Sequence, residues 1–178
     1  MKALARRGGF TLVELLIVVT VLGIATAMVI PSMGSVGVLR VQAAVRTVVS
    51  DITQAQSESL AYQRGRAVVF DMEGASWSIA EVNSGIIDLS TDTLWTGMIR
   101  GKDFGDAAIT LVNFDGDGVL VFDEMGAPVD APQSTVTAGT GYLDITGSGQ
   151  TFRVTVEAYT GRVVVTNAAP GSDDEVEE

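Results

Sequence analysis

Near its start the chain carries one unbroken apolar stretch, Phe10 to Ile30 (FTLVELLIVVTVLGIATAMVI), in which thirteen of twenty-one residues are Phe, Leu, Ile or Val. As a helix rising about 1.5 Å per residue it would reach roughly 32 Å, enough for the ~30 Å hydrocarbon layer of a bilayer, so the pattern predicts a membrane span. Pro31-Ser32-Met33-Gly34-Ser35-Val36-Gly37 follows. A proline and two glycines there predict a kink or a melted turn, or simply the end of the span. The period then becomes helical from Val38 to about Gln63. Val41, Val45, Val48, Ile52 and Ala55 recur every three or four residues, with Arg40, Gln42, Arg46, Asp51, Gln54 and Glu58 off that line. An amphipathic helix is predicted, its stripe covering a sheet. Arg64-Gly65-Arg66 supplies a glycine and two cations where this helix should stop, and reads as its cap.

Beyond Gly65 the period falls to two. Arg66–Asp71 (RAVVFD) and Trp77–Val82 (WSIAEV) read as strands joined by a hairpin turn at Met72-Glu73-Gly74-Ala75. Ile86 to Gly105 has no clear pattern, although Leu94, Trp95, Met98 and Ile99 suggest partial burial in a variable loop. Ala108–Phe114 and Val119–Phe122 read as strands joined by Asp115-Gly116-Asp117-Gly118. Gln150–Ala158 alternates, with Phe152, Val154, Val156 and Ala158 on one face, and Tyr159-Thr160-Gly161 turns it back into Arg162–Thr166. Ala168 to Glu178 holds Pro170, Gly171 and five acids and reads as a disordered acidic tail. The fold class predicted is α+β: a long N-terminal helix, its first half membrane-spanning, packed on a mainly antiparallel sheet domain.

Composition narrows the function. With 178 residues, the chain has length for one small domain beyond the span. It contains neither cysteine nor histidine, which removes thiol nucleophiles, disulfides, imidazole bases and the commonest zinc ligands. No carboxylate pairing points to catalysis, so an enzyme is not expected. Eleven basic residues face twenty-two acidic ones, a net charge of -11, and Lys2, Arg6 and Arg7 lie ahead of the span. The positive-inside rule puts those three in the cytoplasm and the C-terminal domain across the membrane. Without them the chain would carry a net charge of -14, which repels nucleic acid at long range.

Asp115, Asp117, Asp123 and Glu124 form the densest carboxylate group of the domain. The start of Asp115-Gly116-Asp117-Gly118 is that of a calcium loop, but Val119 and Leu120 stand where an EF-hand needs a ligand and its central glycine. A tight turn explains the same residues; calcium is kept only as a weak alternative, and no other cofactor is expected.

Glu14 is the ionisable residue inside the span, and it needs a partner there. The residues Arg6-Arg7-Gly8-Gly9-Phe10-Thr11-Leu12-Val13-Glu14 closely resemble the class III leader of type IV pilins and type II secretion pseudopilins. That resemblance implies cleavage after Gly9 by a prepilin peptidase, N-methylation of Phe10, and a carboxylate at Glu14 that neutralises the new amino terminus of a neighbouring subunit. It also assigns helix flexibility to Gly23 and Pro31.

The implied organisation is a leader over residues 1–9, a membrane and assembly helix over 10–30, a kink and amphipathic helix over 31–63, a β-rich domain over 64–167 and a tail over 168–178. An ordinary signal peptide cut after Ala25-Thr26-Ala27, releasing the chain from Met28, is the rival reading, together with an uncut anchor. Glu14 argues against a signal peptide, because a charge early in its apolar core weakens the property that core needs. The Arg6-Arg7 pair evokes a twin-arginine signal, but its flanks fit poorly.

The order of stripe, hairpins and closing Thr160-Gly161-Arg162-Val163-Val164-Val165 also resembles the GspH/FimT-like minor pseudopilins. The absence of cysteine, by contrast with major type IV pilins, which often carry a C-terminal disulfide, points the same way. The function implied is that of a minor structural subunit, anchored in the inner membrane with its domain in the periplasm. It would meet other pilins and the inner-membrane assembly platform in a pseudopilus serving secretion, or in a pilus. The alternative is a DNA-uptake or adhesion subunit binding its ligand through an exposed sheet. Arg162 is its candidate contact, although Val163 and Val164 stand where a second arginine would help, and nucleic acid is not the expected partner.

Overall fold

The computed structural model describes residues 10–29 and 33–168, and it divides the chain into two units, residues 1–36 and 37–178. In the first unit the apolar stretch forms helix α1, Leu12–Val29. Thr11 begins it. The Thr11 hydroxyl accepts the Glu14 backbone N–H at 3.2 Å, and the Glu14 carboxylate reaches back to the Thr11 N–H at 3.5 Å, a capping box that satisfies donors left free at a helix start. The hydroxyls of Thr20 and Thr26 donate to the carbonyls of Leu16 and Leu22, so these polar groups are satisfied within the helix. From Leu12 to Ile24 every Leu, Ile and Val is more than half exposed. Eighteen residues rise about 27 Å, and among the described residues no helix is long and apolar enough to cross a membrane. The predicted span continues into Ile30, which lies outside the described residues, as do Gly9, Pro31 and the acidic stretch after Ala168.

Helix α2 is Met33–Tyr62, and the second unit is built on its residues from Gly37 onward. Val41, Ala44, Val45, Val48, Ile52 and Ala55 are buried along one face, as the period predicts. Five strands, β1 (Arg66–Asp71), β2 (Ser76–Glu81), β3 (Thr93–Met98), β5 (Val119–Phe122) and β6 (Pro128–Val129), form a sheet in the order β3-β2-β1-β5-β6. Four more, β4 (Ala108–Asn113), β7 (Gly141–Gly147), β8 (Gln150–Val156) and β9 (Val163–Ala168), form a second in the order β4-β7-β8-β9. Every strand pair is antiparallel.

One core contains the α2 stripe with Val68, Phe70, Trp77, Ile79, Leu120 and Phe122 from the first sheet. Ile109, Leu143, Ile145, Val154 and Val156 join it from the second. The stripe therefore serves two sheets, where the pattern predicted one. Phe70 and Phe114 stack at 5.7 Å between ring centres, carrying the packing from β1 to the end of β4. Ala67, Val121 and Val129 form a smaller cluster of their own.

Three sequence expectations are corrected. Ala108–Phe114 and Val119–Phe122 are strands, but not partners: the Asp115-Gly116-Asp117-Gly118 turn hands the chain from one sheet to the other, β4 pairing with β7 and β5 with β1. A period of two reveals a strand but not which edge it joins.

Of Arg64-Gly65-Arg66, only Arg64 takes part in the helix cap, through its backbone N–H. Gln63 takes the left-handed conformation (φ 52°), and the Arg64 N–H reaches the Ser59 carbonyl at 3.2 Å, the closure of a Schellman motif. Arg66 instead begins β1 with its side chain 4% exposed, 3.3 Å from Glu81 and 3.5 Å from Glu58, while Arg64 meets Glu81 at 2.6 Å. The third correction is at the far end, where β9 runs through Ala168.

The unpatterned 86–105 segment contains β3. A register shift against β2 leaves Leu94 without an opposite residue; burial still alternates along the strand, but its outward positions include the apolar Leu94 and Met98, so no alternation of polar and apolar residues marks it in the sequence. Trp95 and Ile99 join the core, while Leu94 and Met98 are exposed. The far end of α2 is fastened by Gln56, whose side-chain amide donates to the Gly126 carbonyl at 2.8 Å and the Thr160 carbonyl at 3.0 Å. Gly126 lies in the β5–β6 turn and Thr160 in the β8–β9 turn, so one amide holds a turn from each sheet.

Candidate functional site

Of the residues that the leader resemblance singles out, Phe10, Glu14 and Gly23 are described. Phe10 is 84% exposed at the foot of α1, and Glu14 is exposed one turn further on. Among the described residues the Glu14 carboxylate accepts one long bond, from the Thr11 N–H at 3.5 Å, and the side chain is exposed. A side chain at Gly23 would meet no atom within 4 Å, so no packing inside the described chain requires glycine there.

The four carboxylates weighed for calcium do not converge. Asp115 accepts the Gly139 N–H at 3.1 Å and Asp117 the Val119 N–H at 2.8 Å. Asp123 accepts two N–H groups, of Met125 and Ala127, each at 2.8 Å, and Glu124 is exposed beside it. Asp117 and Asp123 each close a local turn through backbone amides, the ordinary use of Asp in such positions, while Asp115 ties its turn to the distant Gly139 segment. Among the described residues no group of three or more acidic side chains could hold a metal.

Arg162 stands just before β9 on an exposed side chain, and its guanidinium forks onto Glu157 with contacts of 2.9 and 2.5 Å. That bidentate bond holds the Glu157 carboxyl below its ordinary value and raises Arg162. Because the folded Glu157 value lies below the unfolded one, the pair's contribution is present above the ordinary glutamate range and is lost as pH falls through the lowered value. In an NMR titration Glu157 should ionise below the usual glutamate pH, and Arg162→Ala should bring it back up. An unchanged Glu157 titration in that variant would show that the pair does not form in solution.

The capping box was missed in the sequence reading, although Thr11-Leu12-Val13-Glu14 has the S/T-x-x-E spacing that could have disclosed it. Its box donors are now part of the same site as the methylation-type motif.

Comparison with known proteins adds two findings. The family described as "Prokaryotic N-terminal methylation motif" matches residues 4–30. Among solved structures, the type IV minor pilin FimU of Pseudomonas aeruginosa is similar over 71% of this chain and 87% of that one, at 17% identity and a TM-score of 0.51. The minor pseudopilin EpsH from the type 2 secretion system of Vibrio cholerae aligns over 74% of this chain and 98% of that one, at 10% identity and a TM-score of 0.48. No curated protein sequence matches the chain significantly.

The long helix on antiparallel sheets is a pilin-like fold, and the chain carries an N-terminal methylation motif over residues 4–30. The α+β fold expected from the sequence, and its likeness to pilins, are thereby met.

Proposed function

We propose that the chain is a structural subunit, of the minor class, of a type II secretion pseudopilus or type IV pilus. The observation that carries this reading is the methylation motif over residues 4–30, set on a helix whose Leu, Ile and Val side chains from Leu12 to Ile24 are more than half exposed among the described residues. A helix apolar on all sides needs lipid or other helices around it. Before assembly, residues 10–30 are held in the inner membrane with the acidic domain in the periplasm. A prepilin peptidase cuts after Gly9 and Phe10 is methylated. The assembly platform then draws the helix out of lipid and into a bundle with other pilins.

In that bundle Glu14 faces the amino group of Phe10 on a neighbour. At 4 Å and an effective dielectric near 20 the attraction is about 4 kcal/mol. Loss of hydration offsets much of it, so the pair sets register while apolar packing supplies most of the stability. Gly23 and Pro31 give the helix freedom to bend as it is inserted. No enzymatic step and no cofactor is part of the proposal. The DNA-uptake or adhesion alternative would call on Arg162, whose guanidinium is occupied by Glu157.

The test is terminal sequencing and intact mass of the protein extracted from membranes of its host. A methylated Phe10 as first residue is the expected result. A chain beginning at Met28 would mean a released signal peptide, and one beginning at Met1 an uncut anchor; either result removes the subunit reading.

A further inference from the structure

The nine strands leave four sheet edges among the described residues, and three of them are blunted. β6 has two residues, begins with Pro128 and is bridged by Thr137, while β3 and β4 each carry a register shift in their only ladder. Bulges, prolines, short length and charge are the devices that keep sheet edges from pairing with other chains. β9 has none of them within itself. Its six residues, Val-Val-Val-Thr-Asn-Ala, pair with β8 without interruption and include no charge and no proline. The sequence after Ala168 holds what β9 lacks: Asp173 to Glu178 sets five carboxylates in six residues around one apolar residue, Val176.

On its inner side β9 borders an apolar groove of about 470 Å³ between α2 and the second sheet, lined by Val45, Arg46, Val49, Ser50, Phe152 and Val165 among others. Val165 is 43% exposed there. Opposite residues of a ladder share a face. Since Val163, Val165 and Asn167 stand across from Val156, Val154 and Phe152, all three lie on the α2 side, while Thr166 shares the outer face with Arg153. Each side of the open edge therefore has an arginine near it. Arg46 makes no ion pair among the described residues, and Arg153 is forked onto Asp144.

We propose that residues 173–178 turn back along β9 as a fifth strand of this sheet, with Val176 opposite Val165, and so close both the edge and the groove. A four-residue loop, Ala169-Pro170-Gly171-Ser172, is a length that hairpins use, and proline followed by glycine suits the turn inside it. That loop puts Asp173 opposite Ala168, Val176 opposite Val165 and Glu178 opposite Val163. The alternation then sends the one apolar residue of the segment into the groove, flanked by Asp174 and Glu178 on the face of Arg46. Asp173, Glu175 and Glu177 fall on the outer face, Glu175 in the row of Thr166 and Arg153. A loop one residue shorter or longer would turn Val176 outward.

So acidic a segment is a poor strand former by itself, which is why its composition reads as disordered. β9 changes that balance by offering a row of unpaired main-chain donors and acceptors already held in place. The carboxylates would then stand on the new edge, where charge deters further pairing. Because the occupant belongs to the same chain, the closure is independent of protein concentration and asks nothing of the direction of a neighbouring α2.

The experiment uses the full chain purified in detergent. The sequence contains no cysteine, so Val165→Cys combined with Val176→Cys introduces a single pair of thiols. Residues directly opposite in an antiparallel pair lie about 4.5–5.5 Å apart at Cα, within disulfide reach. Mild oxidation should consume most thiols of this variant within single chains, leaving a monomer on a non-reducing gel. The control, Val165→Cys with Glu175→Cys, puts the second thiol on the other face and should close about tenfold more slowly or less readily still. In the unaltered chain, the β9 amides that β8 does not bond should exchange with deuterium about tenfold more slowly than free loop amides of the domain. Equal closure of the two cysteine pairs, or β9 amides exchanging as fast as the loops, would overturn the inference. So would disulfides formed mainly between chains, which would give the edge to a second copy. The subunit proposal is read separately, from the first residue of the chain, so either can fail without the other.

Discussion

Trp77→Ala is expected to cost the domain about 3–5 kcal/mol, the range for removing a large aromatic from a packed core. Trp77 is 1% exposed, and its ring lies directly over Gly97 on the neighbouring strand β3. A Cβ at Gly97 would come within 2.4 Å of that ring, so the two positions are matched in shape and no larger neighbour stands ready to fill the void. Its indole N–H also donates to the Asp51 carboxylate at 2.8 Å, tying β2 to the flank of α2. Trp77→Phe retains most of the volume but leaves Asp51 without this donor, and should cost about 1.5–3 kcal/mol, the range for a hydrogen bond to a charged group. Denaturant unfolding followed by circular dichroism measures both. A loss below about 1.5 kcal/mol for the alanine variant would mean that the site collapses around the gap and that Trp77 does not organise the core.

The second large effect is functional and lies at Glu14. Under the subunit proposal, Glu14→Ala leaves cleavage after Gly9 intact but sharply reduces incorporation into the filament. The capping box complicates this variant, because alanine also removes the carboxylate that reaches back to the Thr11 N–H. Glu14→Gln separates the two contributions. Glutamine can occupy the same capping position but carries no charge. If charge matching with Phe10 sets the register, Gln and Ala variants fail alike. If Gln restores incorporation, the helix cap was the important element and the proposed pairing with the neighbour is wrong. Filament preparations probed for the subunit, alongside a processing assay, give both readouts.

Helices and turns were largely legible in the sequence because their signals are local. The α2 stripe depends only on spacing along one element, and Val41, Val45, Val48, Ile52 and Ala55 are all buried. Sheet membership depends on partners far along the chain, so the β4 and β5 segments were visible while their separation into two sheets was not.

β7 went unread for a different reason. Its sequence, Gly-Tyr-Leu-Asp-Ile-Thr-Gly, places an acid in mid-strand, and Asp144 is nonetheless 7% exposed. Arg153 on β8 makes this tolerable by forking onto it at 2.9 and 3.0 Å while lying 4.3 Å from the centre of the Tyr142 ring. A charge buried through a cross-strand partner has no signature within its own strand. Likewise Arg66 read as a helix-ending cation because its carboxylates, Glu58 and Glu81, come from elements on either side. At the candidate site, Gly9, Phe10, Glu14, Gly23 and Pro31 stand out by their resemblance to a known leader, whereas the bonds of Glu14 to its own helix start belong to the local Thr11-x-x-Glu14 signal.

The grip of Gln56 on two turns has a mechanical consequence. A pull along α2 would reach the β5–β6 and β8–β9 turns through this same side chain, beside the apolar stripe that already couples the helix to both sheets. Both turns thus share one hydrogen-bond donor at the helix end, in addition to the apolar packing of each sheet on α2. Cutting that amide, as in Gln56→Leu, would turn a shared anchorage into two separate ones that yield in succession.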